Sequence, residues 1–299
     1  MAKKNSRTES LGTRMKEYEK MSESVISPDD HLIMRIDGHK FSKFTKNMKK
    51  PFDDIFSKAM ELASIDLLQE FNAYTVYVQS DEITLLLPSL MNTDKHKGQN
   101  APKWGHTSGG RTQKLASLVA GFCTMSFNKH FGRLVTEYGN MARFFGDDED
   151  QKNNHFKYMD MMRQKVGTAW FDCRVFGVPN DEEAFNAFMF RNRDAEKNSR
   201  SMYASTFCSH KELQHKTGPE QVQFCKEKTG KDWELIDDRY KFGIFVKKET
   251  YEKPVEVLPG ITASVGEEQK TVTRSRVVTY SEKLEFSDDA VQKIMAKYL

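Results

Sequence analysis

An α+β fold, an antiparallel sheet packed by helices with a C-terminal extension, is what this 299-residue chain predicts, and three observations carry the prediction. His31-Leu-Ile-Met-Arg-Ile-Asp37 is a short apolar run stopped by Gly38, which reads as a buried strand. Phe52, Ile55, Phe56, Ala59, Met60, Ala63, Leu67 and Phe71 then recur at three- and four-residue spacing, which predicts an amphipathic helix with Pro51 suited to its first turn. Two more runs rich in β-branched and aromatic or aliphatic residues, Tyr74 to Gln79 and Ile83 to Leu87, flank a Ser-Asp-Glu tip and read as a hairpin. The resulting order is β-α-β-β, a ferredoxin-like core.

Further along, Pro88, Gly98, Pro102, Gly105, Gly109 and Gly110 predict a long loop over 88–110. Leu115, Leu118, Val119, Phe122, Met125 and Phe127 then predict a helix from Arg111 to Phe131. Residues 132–167 read as a loop-rich insertion. Within it, the acidic run Gly146 to Asp150 lacks the ligand spacing of a calcium loop and reads as solvated, while the Met-rich Tyr158 to Met162 reads as a core or interface helix. Ala169 to Val178 is a further strand, with Asp172 and Arg174 on one face by the two-residue period. A long helix from Asp181 to Phe207, a shorter one near 219–229, a strand from Arg239 to Lys248, a strand-like Thr271 to Tyr280 and a terminal helix complete the chain. The expected organisation is a catalytic domain over 1–249 and an extension over 250–299 packed on or beside it.

Composition narrows the function classes. No window approaches the ~18 consecutive apolar residues of a membrane helix, and the basic N-terminus has no apolar run behind it, so the expectation is a cytoplasmic protein with no membrane partner. Cys123, Cys173, Cys208 and Cys225 are far apart, which favours neither a zinc site nor a disulfide framework and predicts reduced, mostly buried thiols. Net charge is only +3, but Lys40, Lys43, Lys46, Lys49 and Lys50 crowd behind Asp37, where they suit a triphosphate or an RNA backbone.

The chemistry lies in two acidic motifs. Asp37 and Asp81 are expected at the ends of neighbouring strands, where two carboxylates can share a pair of divalent cations for metal-assisted transfer of a nucleotide phosphate. That arrangement is the palm-like one of nucleotide polymerases and nucleotidyl cyclases. Glu82 alternates away from Asp81 and suits a supporting role. Gly38 lets backbone approach phosphate oxygens, and the N–H groups from His39 to Ser42 can cradle them. Arg111 and Lys114, one helical turn apart, can grip a triphosphate. Each feature alone has an ordinary structural reading, such as a turn or a solvated pair; their combination points to nucleotide chemistry.

In this order, RIDGHKFSKFT, KKPFDD, QSDEITL, GGRTQK, FDCRVFGVP and RNRDAEKNS resemble the tRNA(His) guanylyltransferase superfamily, and more closely its bacterial and archaeal guanylyltransferase-like branch, which extends RNA in the 3′-to-5′ direction. The likeness spans roughly residues 30–250. It implies a polymerase-palm catalytic domain, two Mg2+ ions, ATP or GTP as activating and incoming nucleotides, tRNA or a tRNA-like RNA as partner, and a homotetramer. By the same resemblance, Asp37 and Asp81 bind metal together with the Gly38 carbonyl. Ser80 and Glu82 belong to that signature, and His39, Lys40, Phe41 and Ser42 wrap a triphosphate. Lys50 serves 5′-end activation, Arg111 and Lys114 hold nucleotide phosphate, and Arg191, Asp194, Lys197 and Asn198 lie on the RNA-facing helix. Enzymes dedicated to tRNA(His) carry His-Ile-Asn-Asn where this chain has Glu196-Lys197-Asn198-Ser199, so the resemblance favours repair of 5′-truncated tRNAs over obligate tRNA(His) recognition. His39 stands where the branch has Lys or Arg, and Ser42 where it often has His. Two alternatives stay open: a palm-type cyclase or dinucleotide synthase, which needs the acids but no RNA, and a catalytically silent RNA-binding protein.

Overall fold

The computed structural model describes residues 10–90, 106–141, 148–254 and 271–299. Its centre is a six-stranded antiparallel sheet of β1 (His31–Gly38), β2 (Thr75–Gln79), β3 (Glu82–Leu87), β4 (Phe171–Val178), β5 (Ile244–Pro254) and β6 (Thr271–Tyr280), in the order β4-β1-β3-β2-β5-β6. The helices are α1 (Leu11–Met21), α2 (Phe41–Phe44), α3 (Asp54–Glu70), α4 (Thr112–Gly139), α5 (Glu149–Arg163), α6 (Asp181–Phe207), α7 (His210–Leu213), α8 (Gly218–Thr229), α9 (Asp238–Phe242) and α10 (Asp288–Met295).

Strand alternation sorts the core into two layers. Leu32, Met34 and Ile36 with Val76, Val78, Ile83, Leu85 and Val246 face α3, α4 and α5. Ile33, Tyr77, Leu86 and Phe245 face α6 and α10. The second face also carries Arg35, Asp37 and Glu82, so α6 is the helix that overlooks the acids. Among the described residues no helix is long and apolar enough to cross a membrane. All four cysteines are free thiols, three buried and Cys173 half-buried.

The structure corrects several boundaries. Pro51 lies before the helix rather than in its first turn, because Asp53 caps α3, accepting from the Phe56 N–H at 3.0 Å. The stretch 132–167 is largely helical. α4 continues to Gly139, and α5 buries Met159 and Met162 while Asp148, Glu149 and Asp150 form its cap and first turn; Gly146 and Asp147 of the acidic run, like most of the 88–110 loop, lie outside the described residues. Residues 239–242 are helix, not strand. Asp237 caps α9 through the Arg239 N–H, and Gly243 then turns the chain at φ 74°, where a Cβ would meet the Tyr77 hydroxyl at 2.6 Å. β5 therefore starts at Ile244 and runs on to Pro254, through the 249/250 position. α1 was not anticipated at all; it buries none of its residues, so no strong periodic signal marks it.

The C-terminal segment is stitched on by a buried cation. Lys247 Nζ, fully buried, donates to the Thr75 hydroxyl (2.8 Å) and to the last carbonyls of α10 and its end: Lys293, Ile294 (3.3 Å) and Ala296 (2.7 Å). These are orphan carbonyls of a helix terminus, a favourable seat for a lysine. Burial nonetheless pushes Lys247 down to about 7. A pKa below its unfolded value means that the folded chain binds fewer protons than the unfolded one, so stability rises as pH increases from about 7 toward 10. Lys247→Met is expected to lose about 2 kcal/mol near pH 10 and to flatten that rise; urea unfolding across the pH range checks both.

Candidate active site

β1 ends at Asp37 and Gly38, and the Gly38 N–H donates to the Asp81 carbonyl at 3.1 Å, which locks the strand end onto the β2–β3 turn. In that turn Ser80 takes φ 49°, and its hydroxyl donates to Asp81 Oδ1 at 3.1 Å. Burial pushes the Asp81 carboxyl up, hydrogen bonds from the turn and from Ser80 oppose this, and the nearby Asp37 charge adds to the rise. Among the described residues neither Asp37 nor Asp81 makes an ion pair.

Glu82 differs. It sits opposite Asp37 in the β1–β3 ladder, buried, with Oε2 3.2 Å from Arg191 Nη1 and 3.7 Å from Arg35 Nε. Burial raises its carboxyl although the two arginines pull it down. Arg191 also reaches Asp194 Oδ2 at 3.4 Å and stacks on the Phe190 ring at 4.2 Å. Two buried polar atoms here, Glu82 Oε1 and Arg35 Nε, have no hydrogen-bond partner.

These groups meet at a cavity of about 320 Å³. Asp37, Ser80, Asp81 and Glu82 form one wall, and Arg191, Asp194 and Asn198 of α6 form another. Lys49, Lys50 and Pro51 come from the lysine loop, and Phe52 stacks on Tyr240 at 4.5 Å beside Arg239. Asp53 fixes this loop: its carboxylate takes the Lys49 N–H at 3.0 Å and the Tyr158 hydroxyl, while Lys49 Nζ lies over the Tyr158 ring. Thus α5, within the segment read as an insertion, braces a wall of the cavity.

The remaining sequence candidates are dispersed around this centre. The His39 ring packs at a tilt against Trp170 (4.1 Å between centres), and its N–H is spent on the Trp170 carbonyl at 3.0 Å, so that amide is not free for a phosphate. Lys40 adopts φ 55° and starts α2. The Phe41 ring is buried among Phe44, Phe56, Phe127 and Phe171, and leaves only backbone to the loop. A side chain at position 38 would strike that ring, which is why glycine stands there. Ser42 is exposed. Arg111, at the start of α4, bonds Glu23 (3.3 Å) and the Ser108 carbonyl (3.2 Å); neither it nor Lys114 lines the cavity, and nor does exposed Lys197. Sequence reasoning missed Arg35, which the two-residue strand period places on the face of Asp37. It also missed Arg239 and Tyr240, hidden inside a segment read as strand.

A divalent cation fits what is present. Among the described residues no group of three His, Cys, Asp or Glu side chains converges, but Asp37 and Asp81 offer hard oxygen donors with no competing cation. One or two carboxylates completed by water and substrate phosphate is the usual provision for Mg2+.

An antiparallel sheet of this order, carrying its acids where a strand end meets a hairpin turn, puts the chain in the class of palm-type nucleotidyltransferases. The family model for tRNAHis guanylyltransferase matches residues 12–179, over half of the chain, and the chain belongs to that family. An uncharacterized protein of Acanthamoeba polyphaga mimivirus is 30% identical over 295 residues, covering 97% of this chain and 90% of its own length. A bacterial tRNA(His) guanylyltransferase-like protein in complex with ATP superposes with a TM-score of 0.61 at 29% identity, over 80% of this chain and 87% of its own. The corresponding complex with GTP gives 0.59 at 27%, over 90% and 91%. The Saccharomyces cerevisiae tRNA(His) guanylyltransferase, 19% identical with a TM-score of 0.53 over 76% of this chain and 90% of its own, shares the fold.

Removing one partner of the buried Glu82 cluster should be costly. Arg191→Ala is expected to destabilise the chain by about 3 kcal/mol, and Glu82→Gln on the same background should recover part of it. Urea unfolding of the two single variants and the double variant checks the coupling.

Proposed function

We propose that this nucleotidyltransferase is Mg2+-dependent and adds nucleotides to the 5′ end of tRNA or a tRNA-like RNA, building in the 3′-to-5′ direction. The observation that carries the reading is the pair Asp37 and Asp81, two neighbouring carboxylates that line one cavity, in a member of the guanylyltransferase family. Asp37, Asp81 and the Gly38 carbonyl would hold the ions, which when bound lower the pKa of an attacking hydroxyl and brace the leaving phosphate.

The chain's own residues supply the rest. Lys49 and Lys50 place positive charge beside the acids, suited to phosphate groups. Glu82, neutralised by Arg35 and Arg191, keeps the hairpin rigid next to Asp81 rather than binding substrate. Asn198 and Asp194 turn polar groups into the cavity from α6, and the stacked Phe52 and Tyr240 give it an aromatic side. In the first step an RNA 5′-monophosphate oxygen attacks the α-phosphate of ATP or GTP and pyrophosphate leaves. The 3′-hydroxyl of an incoming nucleoside triphosphate then attacks the activated 5′ phosphate, loses its proton, and releases the nucleoside monophosphate. The bound nucleotides in the bacterial relatives support this nucleotide chemistry.

The substrate reading favours 5′-truncated tRNAs. Glu196, in the segment that replaces His-Ile-Asn-Asn, is taken up by Arg200 (2.6 Å) and Lys283 (3.4 Å) and is not free to read a nucleotide. A cytoplasmic homotetramer belongs to the same reading.

Incubation with Mg2+, four nucleoside triphosphates and a 5′-labelled tRNA lacking its first nucleotide is expected to restore that nucleotide. Asp37→Asn and Asp81→Asn should each lower the rate by about a thousandfold while RNA affinity stays within a few-fold. No extension of either 5′-monophosphate or 5′-triphosphate ends would refute the reading, and cyclic or dinucleotide products formed without RNA would replace it with a cyclase.

A further inference from the structure

β4 is an edge strand of the sheet among the described residues, and on its outer face Trp170, Asp172, Arg174 and Phe176 are exposed. The ladder with β1 pairs Asp172 with Asp37, Arg174 with Arg35 and Phe176 with Ile33. It extends one step further through the hydrogen bond from the His39 N–H to the Trp170 carbonyl, where the two rings touch at a tilt. Trp170, Asp172, Arg174 and Phe176 therefore share one face by the strand period, and it is the face that carries Asp37.

The composition of that face is unusual for a solvated edge. Trp170 is 56% exposed and Phe176 40%. On α6, Phe190 is 57% exposed and lies one helical turn before Asp194, which puts it on the side that overlooks the cavity. Two rows, Asp37 with Asp172 and Arg35 with Arg174, set like charges directly opposite one another, which destabilises a sheet. Arg35 is offset by Glu82, but Arg174 makes no ion pair among the described residues. Aromatic rings spaced along a strand, with an unpaired arginine between them, match an unpaired polynucleotide: bases stack on rings and a phosphate meets the guanidinium. The seven residues from Trp170 to Phe176 span about 20 Å, room for several nucleotides. Continuity with the acid pair distinguishes this occupant from a protein partner, since the row of Asp37 lies between the ring of Trp170 and the charge of Arg174.

We propose that the outer face of β4 is the track along which a single-stranded segment of the RNA substrate enters the active site, with Trp170 and Phe176 stacking bases and Arg174 holding a phosphate. This rests on the RNA-extending function proposed above.

The probe is a fluorescently labelled 5′-monophosphate tRNA lacking its first nucleotide, read by anisotropy. Trp170→Ala, Phe176→Ala and Arg174→Glu are each expected to weaken binding about tenfold, and Arg174→Glu should also reduce the salt slope by about one. Trp170→Phe, which keeps a ring, should stay within about threefold of wild type. Circular dichroism confirms folding, and dialysis with ATP should give unchanged binding for Phe176→Ala and Arg174→Glu. Wild-type RNA affinity in the folded variants would overturn the track, as would weaker RNA binding accompanied by loss of an oligomer in sedimentation, which would make the face a contact between copies. If wild type extends RNA and the variants do so with unchanged RNA KM, only the track fails; if wild type neither binds nor extends RNA, the functional reading fails with it.

Discussion

Placing Asp81 beside Asp37 is unfavourable for the Asp81 charge, because burial and the neighbouring carboxylate both act against it. Most of the surrounding structure can be read as the means of sustaining that pair. The Gly38 N–H binds the Asp81 carbonyl, Ser80 donates to the Asp81 side chain from a left-handed turn, and the six-residue register of β1 with β3 keeps the strand end from sliding. Glu82 would have been a third uncompensated charge. Two arginines, one from β1 and one from α6, pair with it, while neither Asp37 nor Asp81 has an ion pair among the described residues.

The same logic explains why elements remote in sequence converge here. α6 contributes Arg191, Asp194 and Asn198 from successive turns of one face, so a single helix orientation sets three cavity groups. The lysine loop is held from the opposite side by Asp53, which caps α3 and accepts from Tyr158 of α5. Lys165, just beyond α5, donates to the Phe44 carbonyl at the end of α2. Among the described residues, the segment 132–167 thus braces the loop that lines the cavity without lining it itself.

Much of this was legible in the chain. The strands that carry Asp37 and Asp81, the helix between them and the Asp181–Phe207 helix follow from periodicity, because each buries a continuous apolar face. The acid pair was legible for the same reason: it lies at the ends of strong elements. α1 and α9 were not, since one buries nothing and the other is a single capped turn rich in aromatic and charged residues. α5 was obscured by its polar composition, with only Met159 and Met162 buried. The spacing of Arg111 and Lys114 was readable, but the engagement of Arg111 with Glu23 rather than the cavity depends on how Ser22 to Val25 run against the start of α4, which no local pattern encodes. Phe41 shows the converse limit: a residue inside a functional motif whose ring serves the core.

The strand order also separates the acids from one of their counter-charges along the sequence. β1, α3, β2 and β3 lie within residues 31–87 and can assemble through contacts of short sequence separation, whereas β4, α6 and β5 reach the same sheet only after closing loops of a hundred residues or more. Asp37, Asp81 and Glu82 are thus joined by contacts local in sequence, whereas Arg191 lies 109 residues from Glu82. The α6 side of the Glu82 cluster therefore depends on closing a loop of that length, whereas Arg35 is supplied by the same strand as Asp37.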